Sequence, residues 1–546
     1  MNTQHVTHQP SPRGLVPVER RLTASTSAFC DCRLSLRESN ASFAERKATL
    51  NPSVIVAVLL ILFVTAFFVN DVSATEPSGA KRPNFLIVLC DDLGYGDLAC
   101  YGHPRIKSPN IDHFVTESMK LTNCYAAASN CSPARTGLMT GRTPHRVGIH
   151  NWIPTYSPMH VRRSEITIAT LLRNAGYNTC QVGKWHLNGM FNLPPQPQPS
   201  DHGFDHWFAT QNNALPTHHN PDNFARNGKW VGKLEGYSAH LVAAEAIDWL
   251  KNKRDKSKPF FLYTCFHEPH EPINSDPKYK SLYEAPEGST LPNHHGNVTQ
   301  MDDAFGRLMR TVDELKLRDN TLVVFTSDNG PAITGRHPHG SAGPLRDKKG
   351  YMYEGGIRVP GIIRWPGHTK PGQVSDEPVC GVDLLPTLCE IAGIPVPQDR
   401  AIDGTSFLPI FDDKPIQRKT PLYWQFNAAR GKPKVCMRIG DWKILATLTG
   451  ETIKPYGDIR VHDQQNLRTA ELDSFELYNL NADIAEATER SQQEPQRLKA
   501  MSQQLRKMYR EIRGESPVWP AWKWPRYEGK RIQAYYRAQA KIQQQN

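Results

Sequence analysis

Asn84 to Cys90 reads Asn-Phe-Leu-Ile-Val-Leu-Cys, a strand-length run with no polar residue after the first. A strand with one wet face alternates, so an unbroken run of this kind has to be covered on both sides. Comparable runs recur at 259–266 and 321–326. Helical patterns stand between and before them over 165–175, closed by Gly176, and over 240–253 and 298–317. That alternation predicts a mostly parallel sheet sandwiched by helices. With 546 residues the chain exceeds one compact core and suits a large α/β domain with a smaller partner. Past about Pro415 the pattern changes to short, aromatic, alternating segments at 422–426, 435–438, 442–446 and 475–480, followed by a helical stretch over 489–513. These predict a small C-terminal antiparallel sheet carrying a helix.

The one run that approaches membrane length is Val54 to Val69, preceded by Arg46 and Lys47 and followed by Val72-Ser73-Ala74. Its length and small-x-small ending predict a secretory signal over 51–74, with an uncleaved single anchor as the competing reading. Either way the chain is expected to be exported, to a periplasmic, secreted or lysosome-like compartment, and to meet a membrane only if the segment stays uncleaved. A polytopic membrane protein is excluded. Residues 1–50 lack periodicity and are expected to be an unstructured extension.

The 65 basic and 54 acidic residues are interspersed, and no zinc-finger, RNP-like or basic-heptad pattern accompanies the +11 balance. Nucleic acid is therefore not expected as a partner, and the charge favours a small or polymeric anion. Of 11 cysteines, Cys30 and Cys32 precede the apolar segment; the odd number that remains points to one special thiol, and no disulfide is assigned. Cys90, Cys180 and Cys265 lie in or beside apolar runs and read as small buried hydrophobes. Trp519, Trp522 and Trp524 stand among prolines, placed either to stack on sugar rings or to pack the tail (514–546) onto the main domain.

Chemistry concentrates where the runs end. The first ends in Asp91-Asp92-Leu93-Gly94-Tyr95-Gly96-Asp97, and 321–326 leads into Ser327-Asp328-Asn329-Gly330. In an open parallel sheet both sets of oxygens lie on the carboxyl edge, where ligands bind. Alone, Asp91-Asp92 reads as a solvated loop. With Asp328, the carboxylates would repel unless a hard cation such as Ca²⁺ or Mg²⁺ sat among them. Cys131-Ser132-Pro133-Ala134-Arg135 puts a proline in a first helical turn, with Gly141 to end the helix. Cys131 then stands at a helix N-terminus, which favours anions, and Arg135 faces the same point one turn on. The same five residues could also be a buried cysteine before an ordinary helix.

These residues resemble the sulfatase family of the alkaline phosphatase superfamily, of the arylsulfatase and N-acetylgalactosamine-6-sulfatase type. The resemblance runs from Arg82 to about Leu480 and includes Gly183-Lys184-Trp185-His186, Glu268-Pro269-His270-Glu271-Pro272, and Lys349 with Glu354-Gly355-Gly356-Ile357-Arg358-Val359-Pro360. It implies an alkaline-phosphatase-like catalytic domain over 82–414 and a C-terminal α+β subdomain over 415–513. It implies hydrolysis of sulfate monoesters, with a sulfated small molecule or glycan as substrate, and oxidation of Cys131 to formylglycine by a separate formylglycine-generating enzyme. The hydrated aldehyde would attack sulfur with one hydroxyl and expel sulfate through the other. The resemblance assigns Asp91, Asp92, Asp328, Asn329 and residue 131 to Ca²⁺, with Arg135 polarising the nucleophile. Lys184 and Lys349 would hold sulfate oxygens, His186 would assist the nucleophile's proton, and His270 would protonate the leaving oxygen. Read singly, the lysines are surface charges and His186 a packing histidine. His267 is the weaker alternative to His270. Cys90 stands where a small residue is usual, and Asp347-Lys348 replaces a glycine pair.

A phosphatase or phosphodiesterase of the same superfamily would need a second metal, for which no ligand set is visible. A non-catalytic sulfoglycan-binding protein would follow if Cys131 stayed a thiol. The loops 192–201 and 217–233 are expected to shape the substrate pocket. Histidines 202, 206, 218, 219, 294, 295, 337 and 339 are placed in loops, where they could line it.

Overall fold

A computed structural model describes residues 82–523, apart from 336 and 454–456. The expected signal segment and N-terminal extension lie outside the described residues, as does Trp524. The strands of the main sheet used below are β1 (Asn84–Asp91), β2 (Met119–Leu121), β3 (Asn178–Lys184), β4 (His206–Thr210), β5 (Phe260–Pro269), β6 (Thr321–Ser327) and β7 (Gly361–Arg364). Their order across the sheet is β2-β7-β6-β1-β5-β3-β4, with short strands added at both edges. From β6 to β4 all neighbours are parallel, whereas β7 runs antiparallel to β6 and to β2. β1 is flanked by β5 and β6, and all eight of its residues are buried, as its unbroken apolar run requires.

The helices are α1 (Pro109–Thr116), α2 (Cys131–Thr140), α3 (Ile168–Asn174), α4 (Ser238–Asp248), α5 (Leu291–Glu314), α6 (Leu384–Ala392) and α7 (Pro495–Glu515). The two faces of the sheet bury separate apolar clusters. Phe85, Ile87 and Leu89 join α2, α3 and α6 on one side; Leu86, Val88 and Cys90 join α1, α4 and α5 on the other. This is the period of two expected of a fully covered strand. Cys90 touches Met301 of α5 at 3.8 Å and is one of nine cysteines, all free, among the described residues.

Beyond the main sheet, β8 (Leu422–Phe426), β9 (Lys434–Ile439), β10 (Trp442–Leu448) and β11 (Leu472–Asn479) form an antiparallel meander. Helix α7 packs Met501, Leu505, Tyr509 and Ile512 onto it. Trp519 is buried and donates its Nε1–H to Gly148 O (2.7 Å), so this tryptophan anchors the tail. Three helix boundaries differ from the sequence pattern. α3 begins only after Thr167, which caps the Thr170 N–H, leaving Glu165 to pair with Arg142 at 2.7 Å. α5 begins at Leu291, because Pro292 suits a first turn, so His294 and His295 are helical and not in a loop. α7 begins at Pro495 for the same reason.

Candidate active site

The carboxyl ends of β1, β3, β5 and β6 deliver Asp91, Lys184, His270 and Asp328 to one edge of the sheet, while α2 presents Cys131 as its first residue. Asn130 caps α2 in extended conformation, and Gly141 closes it in the left-handed region at φ 66°. Cys131 Sγ lies 3.4 Å from Asp91 Oδ1, 4.0 Å from Asp92 Oδ1 and 3.3 Å from Lys349 Nζ. Arg135, fully buried one turn along, meets Asp328 Oδ2 through Nε (2.9 Å) and Nη2 (2.8 Å), and lies 3.9 Å from Asp91 Oδ1. Lys184 Nζ meets Asp91 Oδ2 at 2.5 Å, and Lys349 Nζ meets Asp92 Oδ1 at 2.6 Å.

Two backbones are forced into the left-handed region here: Asp92 at φ 67° and His186 at φ 57°. Such conformations in residues with a Cβ persist only where the surroundings over-determine them. Gly183 shows how tight this edge is. It has φ 93°, and a Cβ there would lie 1.8 Å from Cys265 O of β5, so no larger residue could precede Lys184. Asp347, at φ 62°, occupies the conformation that suits a glycine at this point of the chain. Aspartate tolerates it better than most residues do.

Three carboxylates and three permanent cations share this buried cluster. Burial pushes the Asp91 carboxyl up, but Lys184, His270, Arg135 and Lys349 outweigh it and hold it well below the usual range. Asp328 moves the other way, because burial and the neighbouring Asp91 outweigh Arg135. Burial pushes the Cys131 thiol up to about 12 against Lys184 and Lys349, so at neutral pH it is a protonated thiol. His270 and His186 are both lowered, chiefly by burial.

Asp92 Oδ2 and Asn329 Oδ1 are buried without a hydrogen-bond partner. Ligand atoms of Asp91, Asp92, Cys131 and His270 lie within 4.8 Å of one another. Buried acceptor oxygens with nothing to accept suit a hard cation. Asn329 also donates to Asp92 Oδ1 at 2.6 Å, which brings its amide beside that carboxylate. Asp328 offers Oδ1, which accepts the Asp92 N–H at 3.2 Å, because its other oxygen is taken by Arg135. The tightest group includes His270, which sequence reasoning placed on the leaving group; its Nε2 lies 3.6 Å from Asp92 Oδ2.

Cys131, Lys349, His186 and His270 line one cavity of about 520 Å³. Its wall is completed by Trp152, Asn212, Asn213, Glu271 and, from the C-terminal sheet, Phe426 and Arg430.

The sequence matches the Sulfatase family over residues 83–394, more than half the chain. The chain belongs to the sulfatase family. Residues 345–514 also match a second family description, N-sulphoglucosamine sulphohydrolase, C-terminal. This sulfatase is 33% identical to N-acetylgalactosamine-6-sulfatase of Sus scrofa over 413 residues, which is 70% of this chain and 74% of that protein. It is 31% identical to arylsulfatase A of Homo sapiens over 462 residues, 78% of this chain and 89% of that one. Among solved structures it is similar to Ps i-CgsB, with a TM-score of 0.70 and 27% identity over 84% of this chain and 98% of that chain. The mostly parallel sheet with a small antiparallel sheet beside it is thus the alkaline-phosphatase-like fold of sulfatases, and the protein is a sulfuric ester hydrolase.

The sulfatase cavity departs from the sequence-based picture in its walls. Neither 192–201 nor 217–233 lines it; the wall comes from Asn212 to Pro216, just ahead of the second loop. None of the eight loop-assigned histidines lines it either. His206 is in β4, paired with Glu245 at 2.8 Å. His294 and His295 sit in α5 with their Nδ1 atoms 3.2 Å apart. His267 is buried against Thr210 Oγ1 at 2.8 Å and is a packing residue. Sequence reasoning missed Trp152, Asn212, Asn213 and Arg430. The first three stand beside glycine-poor loops without a motif, and only the third dimension reveals Arg430, about 300 residues from Cys131 in the chain.

Proposed function

We propose that this sulfatase hydrolyses sulfate monoesters of a sulfated carbohydrate, with residue 131 as nucleophile after oxidation of Cys131 to formylglycine. The observation that carries this reading is the convergence of Cys131, Lys349, His186 and His270 on one cavity, above the buried Asp91, Asp92 and Asp328. A carbohydrate is favoured because Ps i-CgsB, 27% identical, is also described in complex with k-i-k-neocarrahexaose. We assign residues 82–414 to the catalytic domain and 415–513 to a subdomain that completes the cavity wall.

Hydrated formylglycine would supply an oxygen nucleophile that can be regenerated, and Ca²⁺ held by Asp91, Asp92, Asp328, Asn329 and residue 131 would supply positive charge beside it. Arg135 opposes the rise that burial and Asp91 impose on Asp328 and holds its Oδ2, so that Oδ1 stays available. Lys349, 3.3 Å from Cys131 Sγ and lining the cavity, is assigned to hold a sulfate oxygen, and Lys184, buried on Asp91 behind the lining, to add its charge to the same point as negative charge shifts toward the ester oxygen. His186 lines the cavity with Nε2 on Ile153 O at 3.1 Å and Nδ1 without a partner, which suits Nδ1 to take up the nucleophile's proton. His270, whose Nδ1–H donates to Glu271 O at 2.6 Å, has Nε2 directed at the cluster, and as the imidazolium it would carry there the proton that the leaving oxygen needs.

Because Cys131 is buried, we infer that a formylglycine-generating enzyme acts before α2 packs, during export through the 51–74 signal. Mass spectrometry of the tryptic peptide holding Cys131 tests the reading: aldehyde in the active protein is expected. Unmodified thiol in a preparation that turns over 4-nitrophenyl sulfate would overturn it.

A further inference from the structure

One wall of the cavity belongs to the hairpin between β8 and β9, which reaches over to the loop that carries Lys349. The Arg430 N–H donates to Gly350 O at 2.9 Å. Its side chain runs along Gly350, where an added Cβ would meet Nε, Cδ and Cγ at 3.3–3.4 Å. The guanidinium is thereby brought to the cavity through the residue next to Lys349, yet it is exposed, and among the described residues no carboxylate pairs with it. That sets it apart from the arginines that serve the fold: Arg135, Arg146, Arg358 and Arg418 each hold a carboxylate at 3.3 Å or less. Lys349 is committed to Asp92 and Cys131, and the one carboxylate in the wall, Glu271, accepts from Thr334 Oγ1 at 2.9 Å. Arg430 is left as spare positive charge outside the reacting cluster.

The rest of the wall carries acceptors in search of donors. Asn130, Asn212 and Asn213 each bury an Oδ1 without a partner, and Asn130 is only 5% exposed. Buried amide oxygens of this kind match the hydroxyls of a polyol, and the cavity is larger than one sulfate group requires.

We propose that Arg430 binds a second anionic substituent, a sulfate ester or a carboxylate, on a saccharide whose scissile sulfate lies at Cys131. The preferred substrate is then a polyanionic carbohydrate. A guanidinium fork suits both anions, since each presents two coplanar oxygens to it. This inference rests on the carbohydrate reading above and adds the neighbouring charge. Arg430 is a specificity residue that takes no part in bond breaking.

The test compares the mature enzyme with Arg430→Ala and Arg430→Lys on four probes: 4-nitrophenyl sulfate, a singly sulfated disaccharide, that disaccharide with a second sulfate, and that disaccharide with a carboxylate. For wild type, KM is expected to fall by about ten-fold on adding the second anion, the equivalent of one good charge-assisted contact. Arg430→Ala should erase that difference with kcat held within about two-fold, and Arg430→Lys should restore it only in part. KM for the aryl sulfate should not move, and the preference should weaken as salt is raised. The two doubly charged probes tell sulfate from carboxylate. Equal KM for singly and doubly charged disaccharides, or an equal rise on every probe in Arg430→Ala, would overturn the proposal while leaving the carbohydrate reading intact. Aryl sulfate turnover with no saccharide turned over would sink both.

Discussion

Lys443 of β10 is the clearest single point at which to break this fold. It is fully buried, with Nζ 2.9 Å from Glu354 Oε1 and 2.9 Å from Glu486 Oε1, and both carboxylates are fully buried too. Glu354 opens the short turn that follows the Lys349 loop; it also accepts from Tyr125 OH at 2.6 Å and meets Arg358 at 3.3 Å. Lys443 therefore ties the loop bearing Lys349 to the C-terminal sheet. Burial raises the Glu354 carboxyl, but Lys443, Arg358 and Arg438 outweigh it and bring it below its ordinary value; Glu486 is left raised, by burial above all. Lys443→Met keeps the volume and removes the charge, leaving, among the described residues, Glu486 without a cation and Glu354 with Arg358 as the one cation in direct contact. Breaking a buried pair in this way costs about 3–5 kcal/mol. With a urea m-value of about 2–3 kcal/mol/M, the midpoint should fall by about 1–2 M. The sign with pH is fixed by the same argument. Without Lys443 the Glu486 carboxyl, already raised, rises further above the unfolded value of about 4.3, so the deficit it adds is small near that pH and grows as pH rises toward its folded value. Urea titrations of variant and wild type at pH 5 and pH 8 should show the larger gap at pH 8, and Glu486→Gln in the Lys443→Met background should recover part of it. A midpoint loss under about 0.3 M, or a gap larger at pH 5, would refute the reasoning.

Cys131→Ala should abolish turnover of 4-nitrophenyl sulfate while leaving the circular dichroism unchanged and lowering the urea midpoint only modestly, because it removes the nucleophile and one small buried group. Chelation should remove activity and lower the melting temperature, and Ca²⁺ should restore both; full activity with stoichiometric zinc and no calcium or magnesium would count against the oxygen-rich set around Asp92 Oδ2 and Asn329 Oδ1. Asp328→Asn should lower kcat/KM by at least about a hundred-fold and loosen Arg135, to be read as loss of Ca²⁺ affinity by calorimetry alongside kinetics. Wild type with residue 131 fully converted should prefer 4-nitrophenyl sulfate over 4-nitrophenyl phosphate in kcat/KM, since a monoester of sulfate brings one negative charge and a phosphate up to about two. Reversed values would move the assignment to a phosphatase.

Much of the chemistry was readable because it sits where apolar strands stop. Asp91-Asp92 and Asp328-Asn329 interrupt runs that have to be buried, and a parallel sheet brings such stops to one edge whatever the loops do. Cys131 and Arg135 were readable because a helix N-terminus and its first turn are local. The cavity wall was not local. Lys443 sits in an alternating strand and reads as a surface lysine until β10 is paired with β11 and Glu486 folds back. Asn212 and Asn213 look like ordinary loop residues, and Arg430 like a solvated turn. The N-terminus of α5 was missed although Pro292 announces it, because the polar residues from Asn293 to Asn297 hide the apolar period that begins at Val298.

The electrostatics of the cluster bear on what residue 131 has to become. A cysteine nucleophile works as a thiolate, and a thiolate at this point would be a further negative charge beside Asp91, Asp92 and Asp328. Burial and those carboxylates outweigh the two lysines and keep the thiol protonated, at about 12. Cysteine proteases meet the same demand with a positive partner and no acidic neighbours; here acidic groups lie within 3.4–4.0 Å of the sulfur. The arrangement is thus ill suited to thiol chemistry and well suited to a cation shared by oxygens. Lys184, Lys349 and Arg135, each already tied to one carboxylate, would gain net positive character the moment a divalent ion took up those carboxylates. That surplus falls beside the N-terminus of α2, where a sulfate monoanion would also be favoured by the backbone N–H groups. Cation binding and anion binding are in this way coupled through three ion pairs, and neither the carboxylates nor the basic residues make chemical sense without the other.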